Sequence, residues 1–127
     1  MITNHLGTVG ASFVLLLMTS AIVQADTGDV VRGQKAWLLN CSRCHQLDVN
    51  SVGPMHRGVV GRHAGSADGV AYSEALRASD VTWTPANLNR WLTEPEQFIP
   101  GQAMGFSVEN AQVREDIIAY LSTQKAP

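Results

Sequence analysis

The chain has 127 residues, with nine Lys and Arg against eleven Asp and Glu for a formal charge of −2. That length suits one small domain, and no basic patch interrupts the near balance of charge, which argues against a nucleic-acid partner. No internal repeat or low-complexity tract is visible.

From Ala11 to Ala25 almost every residue is apolar or small and none is charged. A transmembrane helix needs about 20 apolar residues, so this run is short for one. Val23-Gln24-Ala25 puts small residues where a signal peptidase reads, directly before Asp26. The expectation is a cleaved secretory signal peptide over residues 1–25 and a single domain over residues 26–127. A retained membrane anchor is the alternative, because the leader carries no Lys or Arg.

Asp29 can cap a first helix in which Val30, Gly33, Trp37, Cys41 and Cys44 recur at three- and four-residue steps. Glycine inside a helix costs about 1 kcal/mol against alanine, so Gly33 marks the close approach of another backbone. The helix runs into Cys41-Ser42-Arg43-Cys44-His45. This spacing reads as a c-type haem attachment site. Each thiol can add across one porphyrin vinyl group, and vinyls on adjacent rings ask for sulfurs about one helical turn apart. His45 then lies beneath the ring, where its imidazole can ligate iron. Two alternatives stay open. A thioredoxin-like disulfide would place the pair after a strand in a βαβ unit, and a structural zinc would want a second pair of ligands.

Residues 46–69 show turn chemistry in place of periodicity, with Gly53-Pro54, Gly58, Gly61, Gly65 and Asp68-Gly69. A loop of that length in a small domain ordinarily lines something, and a haem edge fits. A short helix is expected over Ser73 to Arg77, and a clearer one over Thr84 to Glu94. In the second, Thr84 is the cap, Pro85 the first helical residue, Leu88, Trp91 and Leu92 the inward face, and Pro95 the stop. Phe98 to Phe106 reads as loop. A last helix from about Asn110 to Thr123 has Val113, Ile117, Tyr120 and Leu121 on one face, expected to pack across the first helix at Gly33 and Trp37. The fold class is all-α: three to five helices and long loops wrapped around one covalently bound haem.

Haem iron with His/Met ligation has a raised potential suited to electron transfer, whereas an open position suits ligand binding. Met104, in the stiff loop Pro100-Gly101-Gln102-Ala103-Met104, can bring a thioether over the ring face away from His45. Met55, ten residues after His45, is expected to pack beside the haem.

Several runs keep one order along the chain: Gly28-Asp29-Val30 with Gly33, Cys41 to His45, Gly53-Pro54, Gly61-Arg62, Trp83, Ile99-Pro100-Gly101 with Met104 and Phe106, and Arg114 to Leu121. In these the chain resembles class I c-type cytochromes of the mitochondrial cytochrome c and bacterial cytochrome c2 type. The resemblance implies the class I cytochrome c fold, one haem c held by thioethers at Cys41 and Cys44, and iron ligands His45 and Met104. It further implies a Pro54 carbonyl accepting the His45 ring N–H, a bond that orients the imidazole and raises its basicity. Arg62, Tyr72 and Trp83 would lie near a buried haem propionate, which needs paired charge or donors.

The chain also departs from that family. Trp91 stands where a tyrosine often lies near the methionine, and Gln102 and Ala103 replace a threonine and a lysine. Leu76 replaces a frequent asparagine. His56 falls where a leucine commonly packs on the ring; a turned-out or hydrogen-bonded histidine is expected there in preference to an alternative iron ligand, and His63 is expected to face solvent. Basic family members ring the haem edge with lysines. Here that neighbourhood holds Asn40, Glu96, Gln97, Ala103, Asn110, Ala111 and Gln112, so steering by charge should be weak and an apolar patch including Phe106 should carry docking.

The function implied is that of an exported monohaem electron carrier, not an enzyme and with no catalytic residue. It would be a periplasmic monomer without membrane insertion of the mature domain. It would carry single electrons in a respiratory chain, between membrane complexes or exported dehydrogenases and a terminal oxidase or other acceptor. A gas-binding or peroxidatic haem protein with a labile sixth ligand is the alternative, and a dedicated subunit of one exported oxidoreductase is a third reading.

Overall fold

Helix α1 spans Val30–Asn40 and begins where the Asp29 carboxylate accepts the Arg32 backbone N–H at 2.7 Å. The structure, a computed structural model, describes residues 27–127; the leader expected over residues 1–25 lies outside the described residues. Four further helices follow: α2 (Glu74–Arg77), α3 (Pro85–Thr93), α4 (Pro95–Phe98) and α5 (Ala111–Thr123). Ser73, Thr84 and Asn110 cap α2, α3 and α5 by accepting the N–H of Leu76, Asn87 and Val113. Each cap satisfies a first-turn donor that has no partner inside its helix. The all-α expectation holds, and among the described residues β pairing is limited to one antiparallel bridge between His63 and Thr82.

No element is expected between the stop at Pro95 and the loop from Phe98, yet Pro95–Phe98 form a helix of their own. Proline cannot continue α3, since it brings no N–H, but its fixed φ suits a first helical position. Glu94 therefore closes α3 and opens α4 in a single residue.

The terminal helices α1 and α5 pack across each other, and α5 also receives α3. Gly33 marks the crossing, where a Cβ would overlap the backbone carbonyl of Asp116. The buried stripe of α1 is narrower than expected. Gly33 and Trp37 are covered and Cys41 follows them inside, but Val30 is exposed and so is Cys44. On α5, Ile117, Tyr120 and Leu121 are buried as the periodicity suggests, together with Ile118, while Val113 is half-covered. Complete burial of Ile117 is worth about 2–3 kcal/mol.

Asp116 is the buried charge that periodicity does not reveal. Its carboxylate accepts from Arg32 Nε and Nη2 at 2.8 and 2.9 Å, from the Asp29 backbone N–H at 2.7 Å and from Gln112 Nε2 at 2.9 Å. This set ties the start of α1 to the middle of α5. The Arg32 guanidinium and the other donors hold the Asp116 carboxyl well below the ordinary carboxylate range.

Candidate cofactor site

The attachment segment is the unwinding end of α1. Cys41 N–H still bonds to Trp37 O at 2.8 Å, and His45 N–H turns back to Cys41 O at 2.9 Å. Neither cysteine is in a disulfide; Cys41 is buried and Cys44 exposed. Burial, with Cys44 beside it, pushes the Cys41 thiol up to about 12.

These thiols stand on the wall of a cavity of about 520 Å³. Cys41, Cys44, His45 and Pro54 line it on the attachment side, and Arg62, Tyr72 and Trp83 come from the loops that follow. Trp91 of α3 joins Met104 and Phe106 of the late loop to complete the set. The structure thus brings together all ten residues singled out from the sequence. Leu76, Leu88, Leu92, Ile117 and Leu121 supply the apolar floor.

His45 is held at two points. Its Nδ1 lies 2.8 Å from the Pro54 carbonyl oxygen. A carbonyl only accepts, so Nδ1 carries the proton and Nε2 keeps a lone pair for a metal. Gly53 presses on the same ring, where a Cβ would stand 2.3 Å from Cε1, so no larger residue fits. Burial lowers the His45 pKa and the Pro54 bond opposes that fall, with the Arg62 charge lowering it further. The net shift favours the neutral imidazole, the form that ligates.

The Met104 loop is pinned by Gln102. The Gln102 side-chain oxygen accepts from the Met104 N–H at 2.5 Å and the Gly105 N–H at 3.2 Å. Its amide nitrogen donates to Glu96 at 3.2 Å, and Glu96 also accepts from the Gly101 N–H at 3.0 Å. Helix α4 therefore anchors the segment that carries the thioether. Sequence reasoning noted Gln102 as a departure without giving it this work.

Arg62 donates to the Met55 carbonyl at 2.7 Å, and the Tyr72 hydroxyl accepts from the Ala67 N–H at 3.3 Å. Burial lowers the Arg62 pKa, with Tyr72 opposing. Met55, expected beside the haem, is not among the residues lining the cavity: its backbone is occupied with Asn50 and Arg62. The lining contains Arg43 and Arg62 but no Asp, Glu or Lys.

His56 lines the cavity and is hydrogen-bonded, as one of its expected readings has it. It accepts from Trp37 Nε1 at 2.8 Å and stacks on His45 with ring centroids 4.1 Å apart. Burial first, then the charges of His45 and Arg62, lower its pKa well below the ordinary histidine range. Lying against His45, it is in no position to ligate from the far side of the cavity. His63 is exposed, with Nδ1 at 2.9 Å from Ala64 O.

A largely apolar cavity with two thiols and a metal-ready imidazole on one wall, and cationic but no acidic side chains in its lining, fits a macrocycle that is apolar at its centre and anionic at its edge. Among the described residues no group of three His, Cys, Asp or Glu side chains is arranged to hold a metal ion by itself. The molecule is of the class that carries a covalently attached haem c.

The family described as Cytochrome c matches residues 30–125. A cytochrome c2 of Rhodopila globiformis is 43% identical over 105 residues, covering 80% of this chain and 98% of that protein. A cytochrome c of Euglena viridis is 40% identical over 101 residues, covering 77% and 99%. The solved structure of cytochrome cH from Methylobacterium extorquens is 45% identical, with a TM-score of 0.72 over 76% of this chain and 99% of that one. The chain belongs to the cytochrome c family, with the class I fold and one covalently bound haem c. Such proteins are single-haem electron carriers.

Proposed function

We propose that this protein is an exported electron carrier in which Cys41 and Cys44 hold the haem through thioether bonds and His45 and Met104 are the axial iron ligands. The observation that carries this reading is the convergence of two thiols, an imidazole with an uncommitted Nε2 and a thioether on one apolar cavity. When bound, the haem supplies a reversible one-electron change at its iron. The chain's part is to keep both ligands in place through that change, and to exclude water. Pro54 fixes the tautomer and direction of His45. Gln102 and Glu96 hold the Met104 loop against α4. Arg62, Tyr72 and Trp83 line the cavity and would supply charge and donors to a carboxylate at the haem edge. Trp91 packs against Trp83 with ring centroids 5.2 Å apart, and both line the cavity.

Docking is with redox proteins, by contact more than by charge. Phe106 and Val52 are exposed at the cavity and belong to its lining, and Cys44 is exposed beside them. The setting we infer is the bacterial periplasm, reached through the leader expected over residues 1–25. The electrons pass between a membrane complex or exported dehydrogenase and an oxidase or other acceptor. No described helix is long and apolar enough to cross a membrane. The mature domain of this reading is a monomer that works outside the bilayer.

The optical spectrum of the natively matured protein tests the ligand set. A weak ferric band at the red edge from iron–methionine charge transfer, and sluggish reaction of the ferrous form with carbon monoxide, are the expected results. Rapid carbon monoxide binding at neutral pH would overturn the assignment of Met104 and favour a gas-binding or peroxidatic protein.

A further inference from the structure

The rings of His45 and His56 stack with centroids 4.1 Å apart and planes 20° from parallel. The second ring is itself held. Trp37 Nε1 lies 2.8 Å from His56 Nδ1, and an indole nitrogen can only donate. Nδ1 of His56 therefore keeps its lone pair and the proton sits on Nε2, which fixes the tautomer; the tether at Nδ1 and the stack on His45 together restrain the ring. Trp37 is buried on α1 and packs on Tyr120 of α5 with centroids 5.9 Å apart. A chain of aromatic contacts thus runs from the α1–α5 crossing to the imidazole of the attachment segment.

The Pro54 bond alone does not define the angle of the His45 ring. A carbonyl accepts over a broad range of directions, so it restrains one ring atom and tolerates a swing. A flat partner against the ring face does not tolerate it. An aliphatic side chain in the place of His56 would fill similar volume but present no plane.

We propose that His56 is a positioning residue: tethered by Trp37, its face sets the rotational angle at which His45 meets the iron. This rests on His45 being the axial ligand and gives His56 no bond to iron. The axial imidazole plane and the methionine thioether together decide which iron d orbital holds the unpaired electron in the low-spin ferric state. With Met104 unchanged, a shift in the spread of haem-methyl proton signals reports a turn of the imidazole plane.

Proton NMR of the ferric holoprotein tests the proposal in three variants. His56→Leu keeps volume and removes the plane, so it should redistribute the haem-methyl shifts most. His56→Phe keeps a ring but loses the tether, and Trp37→Phe loses the same tether from the other side. Both should move the methyl shifts in the direction of His56→Leu, by less. Unmoved methyl shifts in His56→Leu, even with a lowered melting temperature, would reduce His56 to packing and overturn the proposal. Should His56→Leu fail to mature, unmoved shifts in His56→Phe and Trp37→Phe together would have the same force. A wild-type ferric protein lacking hyperfine-shifted imidazole signals from His45 would instead defeat the ligand assignment on which the proposal rests, so the two failures are distinct.

Discussion

Gly33 of α1 and Asp116 of α5 meet backbone to backbone: a Cβ on Gly33 would stand 1.9 Å from the Asp116 carbonyl oxygen. The neighbour is main chain and cannot step aside, so α1 and α5 must part to admit a methyl group. Alanine would favour the helix by about 1 kcal/mol, but overpacking costs typically 1–3 kcal/mol and more where backbone must move. Gly33→Ala should lose about 2 kcal/mol net, lowering the holoprotein's thermal midpoint by roughly 10 °C. A midpoint equal to or above wild type would show that the crossing is slack.

The carboxylate of Asp116 gives the crossing a pH dependence. Its folded pKa is held below the unfolded value, so the unfolded chain takes up the proton first as acid is added. The stabilisation is complete above the unfolded pKa of about 3.9 and drains away as the pH falls from there toward the folded value. Asp116→Asn keeps the shape and loses the charge. It should destabilise by about 2 kcal/mol at pH 7, with the gap to wild type closing below about pH 3. Denaturant midpoints measured across that range check it, and a gap that widened in acid would contradict it.

Met104→Ala removes the thioether from the cavity. The potential should fall by roughly 100 mV or more, a modest part of the ~0.8 V that axial ligands span in haem proteins. Carbon monoxide should then bind the ferrous form rapidly. Potentiometry and stopped-flow mixing read both effects, and a variant unchanged in either leaves Met104 no role at iron.

Gln102→Ala leaves Met104 in place but frees the loop. Losing the acceptor for two backbone N–H groups and the link to Glu96 costs about 2 kcal/mol, or up to ~30-fold in the population of opened loop. Carbon monoxide binding to the ferrous variant should speed up by that order while its resting spectrum stays that of the parent. An unaltered rate would mean that the loop is held elsewhere.

Association with redox partners should depend little on salt. Lys35 and Lys125 are the only lysines of the chain, and the exposed residues of the cavity rim are largely uncharged. Between about 0.01 and 0.15 M ionic strength the Debye length falls from ~30 to ~8 Å, and electron-transfer rates should change by less than about threefold. A steep decline would point to a charged docking site.

What could be read from the sequence was local. The Cys41–His45 spacing, the caps at Asp29 and Thr84, and the apolar face of α3 each involve residues within one or two turns, so period and capping rules reach them. Gly33 was also legible, because a costly residue in a helix needs a reason. The charge set at Asp116 was not, since its donors Asp29 and Arg32 lie more than 80 residues away and a buried acid leaves no mark in a hydrophobic period. The same holds for His56. Its departure from the resembled pattern was visible, but only the fold reveals that Trp37 supplies the missing donor. The turn from α3 into α4 was hidden for another reason: Pro95 is both a stop and a start, and a pattern of breakers reports only the first.

The burial of Cys41 bears on the order of assembly. A thiol reacts as its thiolate, and one pushed up to about 12 is almost wholly protonated at neutral pH. Once the polypeptide has closed over it, the inner sulfur is both shielded and chemically quiet. Burial of this degree favours stitching the pigment in while the chain is still open, with folding as the step that seals it.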